Sequence, residues 1–287
     1  MEYLLDPFLN NAFMQRALIA GVLVSISCAV VGTFVVLRGL AFIGDALAHG
    51  VLPGIAAAIL LGLPSMLGAA VGALVMIGGV SLVQHRSRLS TDTAIGLLFV
   101  AMLALGVVMI SASDAFQGDV TAILFGDILG TSWQQVLIML VATVIVAAVT
   151  YVASRPFLLL SLDPEQADVA GFSSKRYHLL MLLLVALTVV ISFQTVGALL
   201  VFGMLLAPAS SAALLVSRIN TMMIVASVIG IASTYAGLLI SYWFDLAAGS
   251  TVVLTSVAVF FVVFALTQAR DSGMHIGRTD ASGETVS

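Results

Sequence analysis

The stretch Arg38-Gly-Leu-Ala-Phe-Ile-Gly-Asp45-Ala-Leu-Ala-His49-Gly-Val-Leu-Pro-Gly54 places a carboxylate and an imidazole inside a run of apolar residues. Asp45 and His49 are four residues apart, so on a helix they lie one turn from each other on the same face. Together they form a ligand pair suited to zinc, manganese or ferrous iron. The alternative is an interhelical hydrogen bond, with Asp45 acting as a helix cap.

The depth of this pair in the apolar run indicates a function. If the helix begins near Gly39, Asp45 lies about 9 Å and His49 about 15 Å along it, well inside a hydrocarbon layer about 30 Å thick. Ionisable groups at such depth are costly and usually face a bundle interior or a water-filled path. The pair therefore predicts a transport site.

The composition is that of an integral membrane protein. Of the 287 residues, 61% are hydrophobic and 8% are charged, and the mean hydropathy is +1.21, values that soluble globular domains do not reach. The only long hydrophilic segment is residues 270–287. We expect one transmembrane domain, residues 1–269, followed by a disordered cytoplasmic tail, residues 270–287.

Charge and cysteine content exclude some kinds of partner and site. The net charge of -4 is small and scattered, so nucleic acid is not expected as a partner. Cys28 is the sole cysteine, which excludes an internal disulfide and a metal site built from thiolates. Glu2 and Asp6 precede the first basic residue, and the first apolar run is too long for a signal peptide, so we interpret it as a retained span.

Apolar runs of about 20 residues predict an all-α polytopic membrane protein. Nine runs are candidate transmembrane helices: residues 17–37, 39–61, 66–84, 94–112, 135–153, 178–194, 196–216, 222–244 and 250–268. Eight spans are also possible, because only Gln194 and Thr195 separate the sixth run from the seventh.

The distribution of basic residues favours nine spans with the N-terminus outside and the C-terminus in the cytoplasm. That topology leaves only Arg16 outside among the 10 Lys and Arg residues, as the positive-inside rule requires. The basic residues on the inner side would be Arg38, Arg86, Arg88, Arg155, Lys175, Arg176, Arg218, Arg270 and Arg278. Merging the sixth and seventh runs would instead place Arg218 and the tail outside.

A short helix is predicted in the inner connection between the fifth and sixth runs. Asp163-Pro164-Glu165-Gln166 has the form of an N-cap, a proline at the first helical position and a Gln at the third, and Gly171 supplies a stop. We expect a helix of about seven residues, Pro164 to Ala170, on the cytoplasmic face. Helices this short are marginal alone in water, so it docks against a soluble partner or rests on its own bundle.

The sequence lacks the motifs of a nucleotide site or an enzyme. A Walker loop needs Gly-x-x-x-x-Gly-Lys-Ser/Thr, whereas the only lysine, Lys175, stands in Gly-Phe-Ser-Ser-Lys-Arg. ATP, if used, is therefore bound by another polypeptide. An intramembrane protease would have only His49 as a base, so we expect no enzymatic activity. Proton coupling is disfavoured because Asp45 and His49 are the only Asp, Glu or His residues in the interior of the predicted spans.

At these residues the sequence resembles a known family, the permease subunits of ABC importers for manganese, zinc and iron. The resemblance runs from about Phe13 to Gln268. The Arg38–Gly54 block is similar to the family's Arg, Gly-Asp, His and Leu-Pro-Gly pattern, and Val196–Ala212 is similar to its late signature. This chain has Pro208-Ala-Ser-Ser-Ala212 where the family commonly has Pro-Ala-Ala-Thr-Ala, a departure that concerns only local packing.

The resemblance implies a permease fold of the cobalamin-importer type. It implies a homodimer embedded in the lipid bilayer, two cytoplasmic ATPase subunits that bind ATP, and an extracytoplasmic metal-binding protein that delivers the ion. It also implies that Asp45 and His49 line the path of a transported Mn²⁺, Zn²⁺ or Fe²⁺, with no permanently bound cofactor. The short inner helix would be the coupling helix that docks in the ATPase. That segment comprises Pro164, Glu165, Gln166, Ala167, Asp168, Val169, Ala170 and Gly171.

Two further expectations concern charge and energy. Arg38 is seven residues before Asp45, on nearly the same face of a continuous helix but about 10 Å away along it. We hypothesise that Arg38, from this chain or from the dimer mate, neutralises Asp45 when no ion is bound; the alternative is an arginine that extends to the inner interface.

A gradient-driven metal channel or secondary carrier is the alternative function, and it would transport metal without an ATPase.

Overall fold

The computed structural model describes residues 2–112 and 126–280, and every regular element in these ranges is an α-helix, as predicted. In chain order the helices are α1 (Glu2–Asn10), α2 (Ala12–Leu37), α3 (Phe42–Gly50), α4 (Leu52–Leu60), α5 (Ser65–Arg86), α6 (Thr91–Ser111), α7 (Trp133–Val152), α8 (Ser154–Leu162), α9 (Pro164–Val169), α10 (Ser174–Leu215), α11 (Ile219–Phe244) and α12 (Ala248–Asp280).

Helix α2 lies inside the bundle and is held there by buried hydroxyl pairs. The hydroxyls of Ser25 on α2 and Thr234 on α11 are 2.8 Å apart. Ser27 Oγ donates a hydrogen bond of 2.8 Å to Thr143 Oγ1 on α7. Because apolar surface gives little drive for helix association in lipid, such hydrogen bonds and close packing fix neighbouring helices.

Helix α10 is interrupted at Gly197, which has φ 78° and ψ 162°. A positive φ of this kind is readily adopted only by glycine, so the chain can change direction here without a steric cost. The two parts are α10a (Ser174–Phe193) and α10b (Leu200–Leu215). An unbroken helix of 42 residues would be about 63 Å long, about twice the hydrocarbon thickness.

Contacts with α2 show that α10a and α10b run in opposite directions. At the start of α10a, His178 lies against Arg38 at the end of α2. On α10b, by contrast, Val201 contacts Cys28 and Leu205 packs on Gly32, so the residue numbers of both helices increase together. The sixth and seventh predicted runs are therefore two antiparallel segments.

Eight helices in the described part of the chain are long and apolar enough to cross a membrane. The shorter apolar helix α10b returns between them, so nine apolar segments run between the two ends of the bundle. This agrees with the nine-span prediction. We call one end the basic end, because Arg38, Arg86, Arg155, Lys175 and Arg218 flank the helix termini there.

The second predicted span consists of two helices, α3 and α4, which meet at Val51. Pro53 has no N–H to donate to the carbonyl of His49 four residues earlier, so the helix that carries the predicted metal ligands ends at Gly50. This span begins at Phe42 rather than near Gly39. Asp45 and His49 therefore lie about 4.5 Å and 10.5 Å along the helix, closer to the basic end than predicted.

Small residues let α4 and α5 approach closely. A Cβ added to Gly54 would collide with the carbonyl oxygen of Gly68, and a Cβ on Gly68 would collide with that of Gly54. Gly72 packs in the same way on Gly50 and Val51. The glycine pairs that follow the small-xxx-small pattern thus fix the scaffold that supports α3.

Replacing Gly54 with Val should therefore destabilise the protein by about 1–3 kcal/mol, because the new side chain pushes α4 away from α5. The matched control is Gly78→Val on α5, where an added Cβ meets nothing within 4 Å. Thermal unfolding of the two purified variants measures the difference. Equal melting temperatures for Gly54→Val and Gly78→Val would contradict the close α4–α5 packing.

The described part of the connection between α6 and α7 lies at the end opposite the basic end. In this connection the short apolar piece Val120 to Leu129 predicts a surface or re-entrant helix, or else a solvated loop. Most of that piece falls within residues 113–125, which lie outside the described residues. Gly126 packs against the backbone of Val196 and Gly197, and Ile128 is buried. The visible part of this connection therefore sits beside the break in α10.

The last helix, α12, continues to Asp280, into the segment that we expected to be a tail. Residues 281–287 lie outside the described residues. The division into a membrane domain and a tail stays a prediction.

Candidate metal path

The structure brings Asp45 and His49 together on α3. Asp45 Oδ1 and His49 Nε2 are 3.4 Å apart, and the side chains are 34% and 19% exposed. The two groups are therefore shielded by the bundle on most sides and open on one. This is the arrangement predicted from the spacing of four residues.

The rest of α3 is fixed in the bundle, which holds the pair in place. Ile43 and Leu47, on the opposite side of the helix, are fully buried. Gly44 packs against Leu205 of α10b. The His49 ring lies edge-on to Phe99 of α6, with centroids 5.5 Å apart.

The spacing of the two ligand atoms suits a single ion. With metal–ligand distances of about 2.1 Å, two atoms 3.4 Å apart subtend an angle of about 110° at the metal. Over residues 2–112 and 126–280, no group of three or more His, Cys, Asp or Glu side chains could hold a metal. Within these ranges the Asp45–His49 pair is therefore a candidate for two metal ligands and not for a complete protein site.

Arg38 is not where the continuous-helix argument placed it. Helix α2 ends at Leu37 and the chain turns at Gly39 before α3 begins, so Arg38 and Asp45 do not share a helix. Arg38 Nη1 instead donates a hydrogen bond of 2.7 Å to His178 Nδ1 on α10a. Among the described residues, the basic side chain within contact distance of the Asp45 carboxylate is His49 and not Arg38.

His178 is the residue in this region that sequence reasoning underestimated. A histidine at the start of a helix is commonly solvated, but His178 is half-buried and accepts the hydrogen bond from Arg38. Its partner is 140 residues away in the sequence. No local pattern could have found this pair, since it depends on the packing of α2 against α10a.

A second element of interest is the predicted short helix, which forms at the basic end. It is α9, Pro164–Val169, with Ala170 as its C-cap. Asp163 Oδ1 accepts hydrogen bonds from the backbone N–H groups of Glu165 and Gln166, at 2.8 and 3.4 Å. The N-cap and proline signals thus predicted the start correctly.

The preceding helix α8 was missed, although a proline in its first turn, Pro156, was a signal for a helix start.

The two faces of α9 differ in exposure. Ala167 is 1% exposed and faces the bundle, whereas Val169 is 90% exposed. The helix therefore rests on its own protein and also presents an apolar side chain outward. Both alternatives that the sequence left open, packing on the bundle and contact with a partner, are compatible with these two faces.

A chain of aromatic side chains links α9 to α2. Phe172, just after α9, contacts Tyr177 with centroids 5.7 Å apart, and Tyr177 contacts Phe157 of α8 at 6.2 Å. Phe157 contacts Phe34 near the end of α2 at 5.3 Å. Each pair is edge-to-face, a favoured aromatic geometry. These ring contacts connect the end of α9 with the last turn of α2.

Asp168 fastens α9 to the start of α10. Its carboxylate accepts hydrogen bonds from the backbone N–H and the hydroxyl of Ser174, at 2.8 and 2.9 Å. The backbone hydrogen bond, then the hydroxyl bond, hold the pKa of Asp168 below its ordinary value of 3.8. A folded-state pKa that is depressed contributes stability above the unfolded pKa and loses it as pH falls.

We expect the Asp168–Ser174 link to persist at neutral pH and to weaken only as pH falls below 3.8. Amide-exchange protection at Ser174, corrected for intrinsic exchange, should stay constant from about pH 5 to 8 and then fall. In Asp168→Asn the acid-dependent step should be absent. A step of equal size in that variant would show that another group controls the junction.

Comparison with known proteins identifies the family. The model of the ABC 3 transport family matches residues 10–267. The chain belongs to this family. The predicted resemblance to permeases of metal ABC importers is confirmed. The chain is a membrane-spanning permease subunit rather than an enzyme.

Relatives cover nearly the whole chain. The manganese transport system membrane protein MntC of Listeria monocytogenes is 37% identical over 260 residues, 91% of this chain and 92% of the relative. The chelated iron transport system membrane protein YfeD of Yersinia pestis is 36% identical over 258 residues, 90% of this chain and 86% of the relative.

A solved structure shares the fold. The structure of PsaBC from Streptococcus pneumoniae in complex with Fab is similar with a TM-score of 0.81 and 33% identity. The match covers 91% of this chain and 94% of that chain. The predicted permease fold is confirmed.

Proposed function

We propose that this chain is the membrane-spanning subunit of an ATP-driven importer that moves a divalent transition metal, manganese or iron, across the cytoplasmic membrane of a bacterium. The observation that carries the proposal is the Asp45–His49 pair, 3.4 Å apart and open on one side within a membrane-crossing segment. Family membership and the names of the relatives support transport of metal.

The number of ligands supports a homodimer. Manganese and iron commonly take more ligands than the two that one chain offers, and the Asp45–His49 pair is open on one side. A two-fold axis beside that opening would bring a second pair to the same ion. In this arrangement the metal path lies between the two subunits.

The orientation follows from charge. The basic end faces the cytoplasm under the positive-inside rule, so the N-terminus is outside and the C-terminus is inside. An extracytoplasmic metal-binding protein delivers the ion to the opposite end. The ATPase subunits bind the basic end. There α9 is the coupling helix, and its exposed side chain Val169 faces the ATPase.

ATP hydrolysis on those separate subunits alternates the dimer between outward and inward states. Arg38 remains our candidate for a gate or charge partner. Its hydrogen bond with His178 means that it would reach an Asp45 carboxylate only by movement or from the dimer mate. Zinc suits the same ligands, but manganese and iron are the metals in the names of the relatives.

Reconstitution tests the proposed function. With the metal-binding protein supplied on the outer side, purified permease should carry manganese across the liposome membrane only when the ATPase subunits and ATP are also present. Accumulation in permease liposomes without ATPase would instead support the gradient-driven channel or carrier and would overturn the proposal. Iron and zinc tested in the same assay would rank the metals.

A further inference from the structure

A cleft at the basic end has a chemistry that the metal path does not use. Its volume is about 520 Å³, and it lies between the start of α8 and the connection from α10 to α11. Its lining residues are Ser154, Arg155, Leu158, Ser217, Arg218, Ile219, Asn220 and Thr221. The set contains two arginines and no acidic residue.

Both arginines are available to a ligand. Arg155 and Arg218 are exposed, and neither forms an ion pair or a side-chain hydrogen bond with any residue that the structure describes. Each guanidinium offers donors in a planar fork that matches phosphate oxygens. The hydroxyls of Ser154 and Ser217 stand in the same cleft and add donors. The cleft therefore favours a phosphate-bearing anion.

The surroundings of the cleft are apolar in a way that suits lipid. The last turn of α7 exposes Tyr151 and Val152, at 65% and 80%. The last turn of α10b exposes Leu214 and Leu215, at 41% and 50%. Both helices end at the cleft, so exposed apolar side chains of two membrane-crossing segments adjoin its polar lining. The acyl chains of a lipid would contact the exposed apolar side chains, and its headgroup would contact the polar lining of the cleft.

We propose that the cleft binds the headgroup phosphate of an anionic phospholipid in the cytoplasmic leaflet, between Arg155 and Arg218. The assignment of the leaflet rests on the proposed orientation. A docked ATPase is the less favoured occupant, because the exposed leucines and valine beside the cleft suit acyl chains and because α9 does not line it. Basic pockets between helices on the cytoplasmic side are suited to anionic headgroups.

The test is phospholipid binding by the full-length permease, purified in detergent without metal or ATPase. Native mass spectrometry follows titration with phosphatidylglycerol, with phosphatidylcholine as the zwitterionic comparison. The double variant Arg155→Gln with Arg218→Gln should weaken phosphatidylglycerol binding by about tenfold or more. The control, Arg86→Gln with Arg88→Gln, removes the same charge from the same end and should retain the affinity of the unmodified protein.

Four results would overturn the proposal. Three come from the lipid titration: an unchanged affinity in the Arg155 and Arg218 double variant, an equal loss in the control, and full competition by inorganic phosphate at millimolar concentration. The fourth comes from a separate co-purification of that double variant with the ATPase, and it is loss of ATPase binding with phosphatidylglycerol binding retained. A variant with both cleft arginines changed to Lys guards against misfolding: it keeps the charge, so it should bind more tightly than the Gln variant. Because this assay contains no transport step, its failure is distinct from failure of the proposed function.

Discussion

Metal uptake should be lost when Asp45 is replaced by Asn or His49 by Ala, while the protein remains folded. Each change removes one of the two metal ligands that we propose, whose side chains lie 3.4 Å apart on α3. Substituting a residue that only hydrogen-bonds to a metal ligand typically lowers metal affinity about 10–100-fold. Removing a ligand itself should therefore lower metal affinity at least about 100-fold. In a symmetric dimer each substitution removes two ligands from the shared ion.

Two measurements check this expectation. The first is ATP-dependent manganese uptake by the reconstituted transporter. The second is the shift in melting temperature of the purified permease on adding manganese, because a ligand that binds the folded state stabilises it by mass action. The matched control is Asp92→Asn, which makes the same chemical change at an exposed residue in the first turn of α6.

The outcome separates binding from folding. Variants that fold normally, lose the manganese-dependent shift and lose uptake would support a ligand role for Asp45 and His49. If both variants kept the shift and the uptake of the unmodified protein, the ion would bind elsewhere. In that case the 3.4 Å pair would be only a contact between two side chains one turn apart on α3.

Features with local signals could be predicted from the sequence. The Asp45–His49 contact depends on a spacing of four residues within one helix turn, which is a property of helix geometry alone. The start of α9 depends on Asp163 and Pro164, whose capping role is also local. The nine apolar segments followed from hydropathy combined with the positions of basic residues.

Features that depend on tertiary packing could not be predicted. The expected proximity of Arg38 and Asp45 assumed one continuous helix, but the turn at Gly39 separates α2 from α3. The actual partner of Arg38 is His178, which α10a brings to the end of α2. A local sequence pattern cannot predict the contact between Arg38 and His178, because the two residues belong to segments that are distant in the sequence.

Side-chain orientation on the short helix was also outside the reach of the sequence. A helix of six residues has too few positions for an apolar stripe to reveal which side is buried. The structure shows that Ala167 faces the bundle and Val169 faces outward. An interface test on Ala167 would therefore disturb the fold of α9 itself, and Val169 is the residue that probes a partner.

Replacing Val169 with Glu should uncouple the permease from its ATPase. Val169 is 90% exposed at the end of α9, so a charged side chain is tolerated by the fold but not by an apolar pocket on a partner. We expect the affinity for the ATPase to fall by about tenfold or more, the size typical of a residue that anchors an interface. Thermal stability of the isolated permease should change little.

The controls for Val169→Glu use both faces of the same helix and the opposite end of the bundle. Leu61→Glu places the same charge at a residue that is 73% exposed on the opposite end, so it should leave ATPase binding unchanged. Ala167→Glu buries a charge against the bundle and should lower the melting temperature of the permease alone. Co-purification with the ATPase and ATP-dependent uptake measure the effect on coupling. Full ATPase binding and uptake by Val169→Glu would show that α9 is not the docking element, because its most exposed apolar side chain would then have no role in the contact.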